Sequence, residues 1–128
     1  MSQEAYSLFT PQMKPDGILI IEQDLVRVEK LPPGVRVYGV SATRLAEELG
    51  KRMVLNIVMV GFFAAVTNVL EPEAVHRTVA DSLPDAFREL NLKAFDKGFE
   101  YGKEHLRAKL ETEREEDAIE AVAGLERI

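Results

Sequence analysis

Val54-Leu-Asn-Ile-Val-Met-Val-Gly-Phe-Phe-Ala-Ala-Val66 is apolar almost all round, with Asn56 its one polar interruption. Lys51-Arg52 precede it and Thr67-Asn68 follow it. A helix that is apolar on every side must be surrounded by protein or by lipid. Spanning a bilayer core of roughly 30 Å takes about 20 apolar residues, and this run is shorter. It reads as a central helix buried on several sides. One amphipathic neighbour is not enough to cover it, so the rest of the chain is read for what does.

The segments before it follow an α/β order. Ser2 is an N-cap candidate for a short first helix, with Glu4 in its first turn and Ala5, Leu8 and Phe9 at helical spacing. Pro11 ends or kinks that segment, and Lys14-Pro-Asp-Gly17 signals a turn. Ile18-Leu-Ile-Ile21 is a continuous apolar run, typical of a parallel strand covered on both faces. Residues 24–30 alternate apolar and polar and are expected to form a short edge strand. Leu31-Pro-Pro-Gly34 is a loop, and Val35-Arg-Val-Tyr-Gly-Val40 is a second strand. Ser41 is expected to cap a helix that ends at Gly50, which stands where a C′ glycine belongs.

After Val66 the pattern is helical throughout. Pro72 opens a helix with Ala74, Val75, Val79 and Leu83 on one face, and Pro84 breaks it. From Asp85, residues Phe87, Leu90, Asn91, Ala94, Phe95, Gly98, Phe99 and Gly102 recur at i, i+3, i+4 spacing, giving one long amphipathic helix. Gly98 and Gly102 each weaken a helix by ~1 kcal/mol relative to Ala. Either another backbone approaches closely there or the helix simply tolerates them. From Glu104 to Ile128 the chain holds eight acidic residues against four basic, with sparse apolar points, and reads as a solvated helical tail. The expected fold is α/β and three-layered: a small, mostly parallel sheet, a helix-rich C-terminal half and an extended C-terminal helix. The expected division is an α/β domain over residues 1–103 and an acidic tail over 104–128. So few strands leave bare edges, so Phe62 and Phe63 are expected to face absent strands or another protein.

Composition narrows the function classes. A net charge of -6 argues against a nucleic-acid footprint and against a polybasic membrane surface. The absence of cysteine removes disulfides, thiolate-held iron–sulfur clusters and a thiol nucleophile together. The first residues lack the basic-then-apolar pattern of a signal peptide, so a soluble cytoplasmic protein is expected.

No catalytic constellation emerges. His76 and His105 fall in different helices without further ligands at metal spacing, and both read as solvated, since a metal site needs three or four ligands. Glu22 and Asp24 follow the end of a strand, where α/β folds bind ligands, and form the best acid pair. Ser41-Ala-Thr43 at a helix start offers an anion site, although plain capping explains it. No glycine-rich phosphate loop is present. Asn56, Phe62, Phe63, Phe95 and Phe99 are the candidate interface residues, and Asn56 is also a candidate cap for its own helix.

Five stretches stand in order at natural spacing: Met1-Ser-Gln-Glu-Ala-Tyr6, Lys14-Pro-Asp-Gly-Ile-Leu-Ile-Ile21, Ala42-Thr-Arg-Leu-Ala-Glu-Glu-Leu-Gly50, Asn56-Ile-Val-Met-Val-Gly61 and Leu90-Asn-Leu-Lys-Ala-Phe-Asp-Lys-Gly98. Together they resemble the gamma subunit of 2-oxoacid:ferredoxin oxidoreductases, most closely the 2-oxoglutarate branch, over about residues 1–103. The resemblance implies a noncatalytic subunit of a complex that decarboxylates a 2-oxo acid with coenzyme A and reduces ferredoxin. Thiamine diphosphate, Mg and iron–sulfur clusters are then expected in the alpha, beta and ferredoxin-like partners, with none bound by this chain and no catalytic residue carried onto it. The family's glycine-rich G-x-G-G-Q-G turn and G-P-E-x-R-G-G stretch are not found, so the chain resembles the C-terminal two-thirds of such a subunit. The alternative is a self-associating structural module without activity, with a homo-oligomer expected if the chain is isolated.

Overall fold

The computed structural model describes residues 1–127. Two parallel strands, β1 (Ile18–Glu22) and β2 (Arg36–Val40), pair from Ile18 opposite Arg36 to Glu22 opposite Val40. Alternation along each strand divides the core in two. Ile18, Ile20, Tyr38 and Val40 face the main core, while Leu19, Ile21 and Val37 face a smaller one with Tyr6 and Val26. Helix α1 (Gln3–Phe9) covers the smaller core, and α2 (Ala42–Glu48), α3 (Leu55–Thr67) and α5 (Asp85–Glu126) build the larger. The result is the expected three-layer α/β arrangement around a small parallel sheet.

Local chemistry sets the element ends. The Ser2 hydroxyl accepts from the Ala5 amide at 3.2 Å, capping α1, and a turn of 3-10 helix containing Pro11 ends the segment. Helix α2 closes in a Schellman motif, with Gly50 N–H donating to Glu47 O (2.8 Å) and Lys51 N–H to Ala46 O (3.3 Å). Gly50 takes φ +82° there, a conformation an L side chain rarely adopts. Asn68, at φ +51°, ends α3, and Pro72 opens α4 (Pro72–Asp81).

Three expectations need correction. Residues 24–30 form no strand. Their backbone is bonded by α1 side chains instead: Gln3 exchanges hydrogen bonds with Arg27 N–H (2.7 Å) and C=O (3.1 Å), and Tyr6 Oη accepts from Glu29 N–H (2.7 Å). Ser41 stands at the N-cap of α2, but its hydroxyl accepts from Gln23 Nε2 at 2.8 Å and does not cap the helix. Ala74 is exposed, and α4 buries no residue fully.

The question posed by α3 is answered mostly within the chain. Its main neighbour is α5, which lies against it along Ala94, Gly98 and Gly102, with α2 and β2 adding contacts. Gly61, Gly98 and Gly102 remove the side chains that would otherwise hold the two helices apart, so the glycines of α5 mark close approach. Phe62 is fully buried, against Tyr101 and His105. The expectation that it faces absent strands or another protein is therefore overturned: α5 comes near enough to cover it. Phe63, one residue on, is 36% exposed. Helix α5 is 42 residues long, about 63 Å at 1.5 Å per residue. It runs unbroken past residue 103, where the composition turns acidic, and the large apolar residues Leu110, Ile119, Val122 and Leu125 beyond that point are exposed.

Candidate partner-docking surface

The expected interface residues do not form one patch. Phe62 and Phe95 lie in the core. Phe95 stacks on the half-buried Phe99, with ring centroids 6.1 Å apart and planes 11° from parallel, and Lys103 Nζ lies 5.5 Å from the Phe99 centroid. Asn56 is exposed in the first turn of α3, where Val54 holds the N-cap position. The Asn56 side-chain oxygen contacts only the next amide, Ile57 N–H, at 3.0 Å, so the expectation that Asn56 caps its helix fails. What remains on the surface is Phe63 with Val69 and Leu70 after α3, and the Phe99 edge with Lys103 along α5. Exposed aromatic groups such as these are enriched at protein interfaces, whereas lysine is depleted there.

The acid pair is split. Glu22 is completely buried at the end of β1, its carboxylate accepting from Asp24 N–H (3.1 Å) and Thr43 Oγ1 (3.0 Å). Asp24 is half exposed and meets Arg44 at 3.5 Å. A carboxylate closed off from solvent cannot meet a substrate, so Glu22 serves here to tie β1 to α2. The Thr43 hydroxyl at the start of α2 is thus engaged within the chain. The cue available in the sequence is an acid at a strand end followed by a hydroxyl two residues inside the next helix.

Neither histidine is simply solvated. His76 Nε2 lies 3.3 Å from Asp96 Oδ1, and its ring meets Phe95 edge-on at 5.5 Å. These groups line an open groove of about 500 Å³ between α4 and α5, whose lining includes no serine, threonine or cysteine to serve as a nucleophile. His105 is half-buried, edge-on to Tyr38 (6.1 Å) and Phe62 (6.0 Å). Burial, and then the charge of Lys109, lower its pKa. Both placements depend on helix packing, which local spacing does not reveal. A second cleft, of about 320 Å³, lies between α1 and β1 and is lined mainly by apolar groups such as Tyr6, Phe9 and Ile21.

Residues 1–101 match the model of the family described as pyruvate ferredoxin/flavodoxin oxidoreductase. The chain belongs to that family. Among curated members it is 38% identical over 106 residues to the 2-oxoglutarate synthase subunit KorC of Methanocaldococcus jannaschii, an alignment covering 81% of this chain and 57% of the relative. It is 33% identical over 106 residues to the same subunit of Methanothermobacter thermautotrophicus, covering 78% of this chain and 56% of that one. The pyruvate synthase subunit PorC of M. jannaschii is 32% identical over 82 residues, covering 64% and 44%. The chain thus spans little more than half the length of the curated members it matches. Among solved structures, the gamma subunit of a keto/oxoacid ferredoxin oxidoreductase from Geobacter sulfurreducens superposes with a TM-score of 0.71 at 36% identity, covering 80% of this chain and 60% of that one. A 2-oxoglutarate:ferredoxin oxidoreductase from Magnetococcus marinus, solved with 2-oxoglutarate, coenzyme A and succinyl-CoA bound, gives 0.69 over 80% of this chain and 19% of its own. At 24% identity that likeness carries the fold alone. The family match ends at residue 101, while α5 continues to Glu126.

Proposed function

We propose that this chain is a noncatalytic, gamma-type component of a cytoplasmic 2-oxoacid:ferredoxin oxidoreductase. In that role it supports CoA-dependent oxidative decarboxylation of a 2-oxo acid, foremost 2-oxoglutarate, to the acyl-CoA. The observation that carries the proposal is the family match over residues 1–101 together with the 38% identity to a 2-oxoglutarate synthase subunit. The substrate preference rests on that identity exceeding the 32% shared with the pyruvate subunit.

The residues present do not fit the cofactors such a complex needs. Iron–sulfur clusters are held by thiolates, and this sequence contains no cysteine. Among the described residues no group of three or more His, Cys, Asp or Glu is placed to hold a metal ion. Thiamine diphosphate, Mg and the clusters are therefore assigned to alpha, beta and ferredoxin-like partners, and this chain contributes surface. Asn56, Phe63 and the exposed edge of Phe99 are the positions proposed to meet those partners, with ferredoxin and coenzyme A engaging the complex as a whole.

The test is affinity capture of the tagged chain from its native source. Recovery of a thiamine-diphosphate-binding subunit, with activity on 2-oxoglutarate above that on pyruvate, is the expected result. Capture of the chain without any such subunit overturns the proposal. A second reading, a self-associating module without an enzyme partner, is favoured by the exposed apolar residues of α5 beyond the family match. Capture of the chain with itself alone, and no other subunit, is its signature.

A further inference from the structure

From Glu111 onward α5 leaves the body, and every residue to Glu126 except Ala123 is exposed. Most helical stability in proteins comes from packing an amphipathic face rather than from propensity, yet among the described residues nothing covers this stretch. At about 100° per residue, Glu111, Glu115, Ala118, Ile119, Val122 and Leu125 all fall within about 60° of Val122 around the helix. That face is divided along its length, acidic at 111 and 115 and apolar from 118 to 125. Residues 111–128 hold seven of the chain's 22 acidic residues and two of its 16 basic ones, so -5 of the net -6 is concentrated there and residues 1–110 are nearly neutral. Among the described residues none of those seven carboxylates forms an ion pair.

We propose that this face docks on a different protein of opposite character. The partner presents an apolar cleft that receives Ile119, Val122 and Leu125, with lysine or arginine beside it to meet Glu111 and Glu115. Charge complementarity sets the choice. Nucleic acids and anionic membranes carry the same sign as the tail and repel it. A second copy does not supply the cleft. None of the six positions on the face is basic, so two such faces laid together leave Glu111 and Glu115 without a cation. The chain does have a groove with basic walls, about 380 Å³ beside Phe99, Lys103, Leu106 and Leu110. Those four residues, however, lie about 130° around α5 from Val122. Two straight helices paired about a dyad turn the same face toward each other, so neither copy would seat its Val122 face in the other's groove. The tail lies beyond the residues matched by the family, so this docking is independent of the proposed function.

The test is site-specific photo-cross-linking of the full-length chain in extract of its native source, with the cross-linked peptides sequenced by mass spectrometry. The photoreactive residue p-benzoylphenylalanine replaces Val122 on the docking face or Glu120 on the opposite face. Position 122 is expected to give an adduct with one other protein, through a peptide that contains lysine or arginine, and position 120 none. With that partner purified, E111K/E115K should weaken binding by about tenfold or more, because it sets like charges against each other. Replacing the basic residues of the cross-linked peptide by glutamate should restore it. I119A/V122A should weaken binding without any such rescue. No adduct from position 122, or an adduct only with a second copy, overturns the proposal. So do equal adducts from both faces, or a partner indifferent to E111K/E115K. All the substituted positions are exposed on α5, so folding of the body, followed by circular dichroism, should be unchanged.

Discussion

Gly61 of α3 faces the backbone of Phe95 in α5 with no space for a side chain between them. A Cβ on Gly61 would overlap the Phe95 carbonyl oxygen and lie 2.9 Å from both the Phe95 carbonyl carbon and the Phe99 nitrogen. The contact is reciprocal. A Cβ on Gly98 of α5 would overlap the Val58 carbonyl oxygen and lie 3.1 Å from the Phe62 nitrogen. Two helices meet backbone to backbone, and that closeness lets one long helix bury most of a neighbour that is apolar all round.

The same substitution should therefore have opposite effects along α5. Gly98→Ala would gain ~1 kcal/mol of helix propensity, but its new methyl meets main-chain atoms that cannot swing aside. A net loss of about 1–3 kcal/mol is expected, the range of overpacked cores, read as a lower urea midpoint. Gly124 has no atom within 4 Å of a built Cβ. Gly124→Ala should raise the helical signal of the tail by circular dichroism and leave the midpoint of the body unchanged. A G98A variant more stable than the parent would contradict this packing.

Phe62 and Phe63 are sequence neighbours with different duties. Phe62→Ala empties a fully buried site and should cost about 3–5 kcal/mol. Phe63→Ala, at a position 36% exposed, should cost less, about 1–2 kcal/mol in the isolated chain. If Phe63 meets a partner subunit, Phe63→Asp should reduce co-purification of that subunit while lowering the thermal midpoint of the chain less than Phe62→Ala does. Equal losses of stability at 62 and 63 would show that the chain covers both.

The residues that made this fold legible carry local signals. Ser2, Gly50 and Pro72 marked helix ends through capping, positive φ and a missing amide, and all three stand where those signals put them. Ile18 to Ile21 announced a strand covered on both faces, and its residues do alternate between two cores. The failures share a cause. Residues 24–30 alternate as a strand would, but Gln3 and Tyr6, more than twenty residues away, take their backbone bonds. Glu22, His76 and His105 took the partners that define them, Thr43, Asp96 and Tyr38, from elements distant in the sequence. For Phe62, inspection of α3 alone could not measure how near the glycines of α5 would bring its neighbour.

Glu22 offers a test of the link between sheet and helix. Glu22→Ala leaves the Asp24 N–H and the Thr43 hydroxyl without their acceptor, and an orphaned buried donor costs about 1–3 kcal/mol. Allowing for partial exposure of Thr43, a loss of about 2–4 kcal/mol is expected, since the vacated side-chain volume adds to it. Glu22→Gln should be milder, because its amide oxygen accepts from Asp24 while its NH2 donates to the rotated Thr43 hydroxyl. A double-mutant cycle with Thr43→Val should give a coupling of about 0.5 kcal/mol or more. Additivity would mean that the two side chains do not communicate.

His105 links the core to pH. Its burial against Tyr38 and Phe62, and then the charge of Lys109, lower its pKa from the ordinary 6.5. The unfolded chain therefore binds this proton at a higher pH than the folded chain does. Where the unfolded state holds more protons, stability rises with pH. The contribution is fully present above 6.5 and is lost as the pH falls through the lowered folded value. Urea midpoints of the parent should accordingly fall between about pH 7 and about pH 5. His105→Phe keeps an aromatic ring between Tyr38 and Phe62 but has no proton to bind, so its midpoint should fall less over the same interval. The difference between the two profiles isolates His105 from the carboxylates, which titrate in both proteins. Parallel profiles for parent and variant would show that protonation of His105 does not oppose folding.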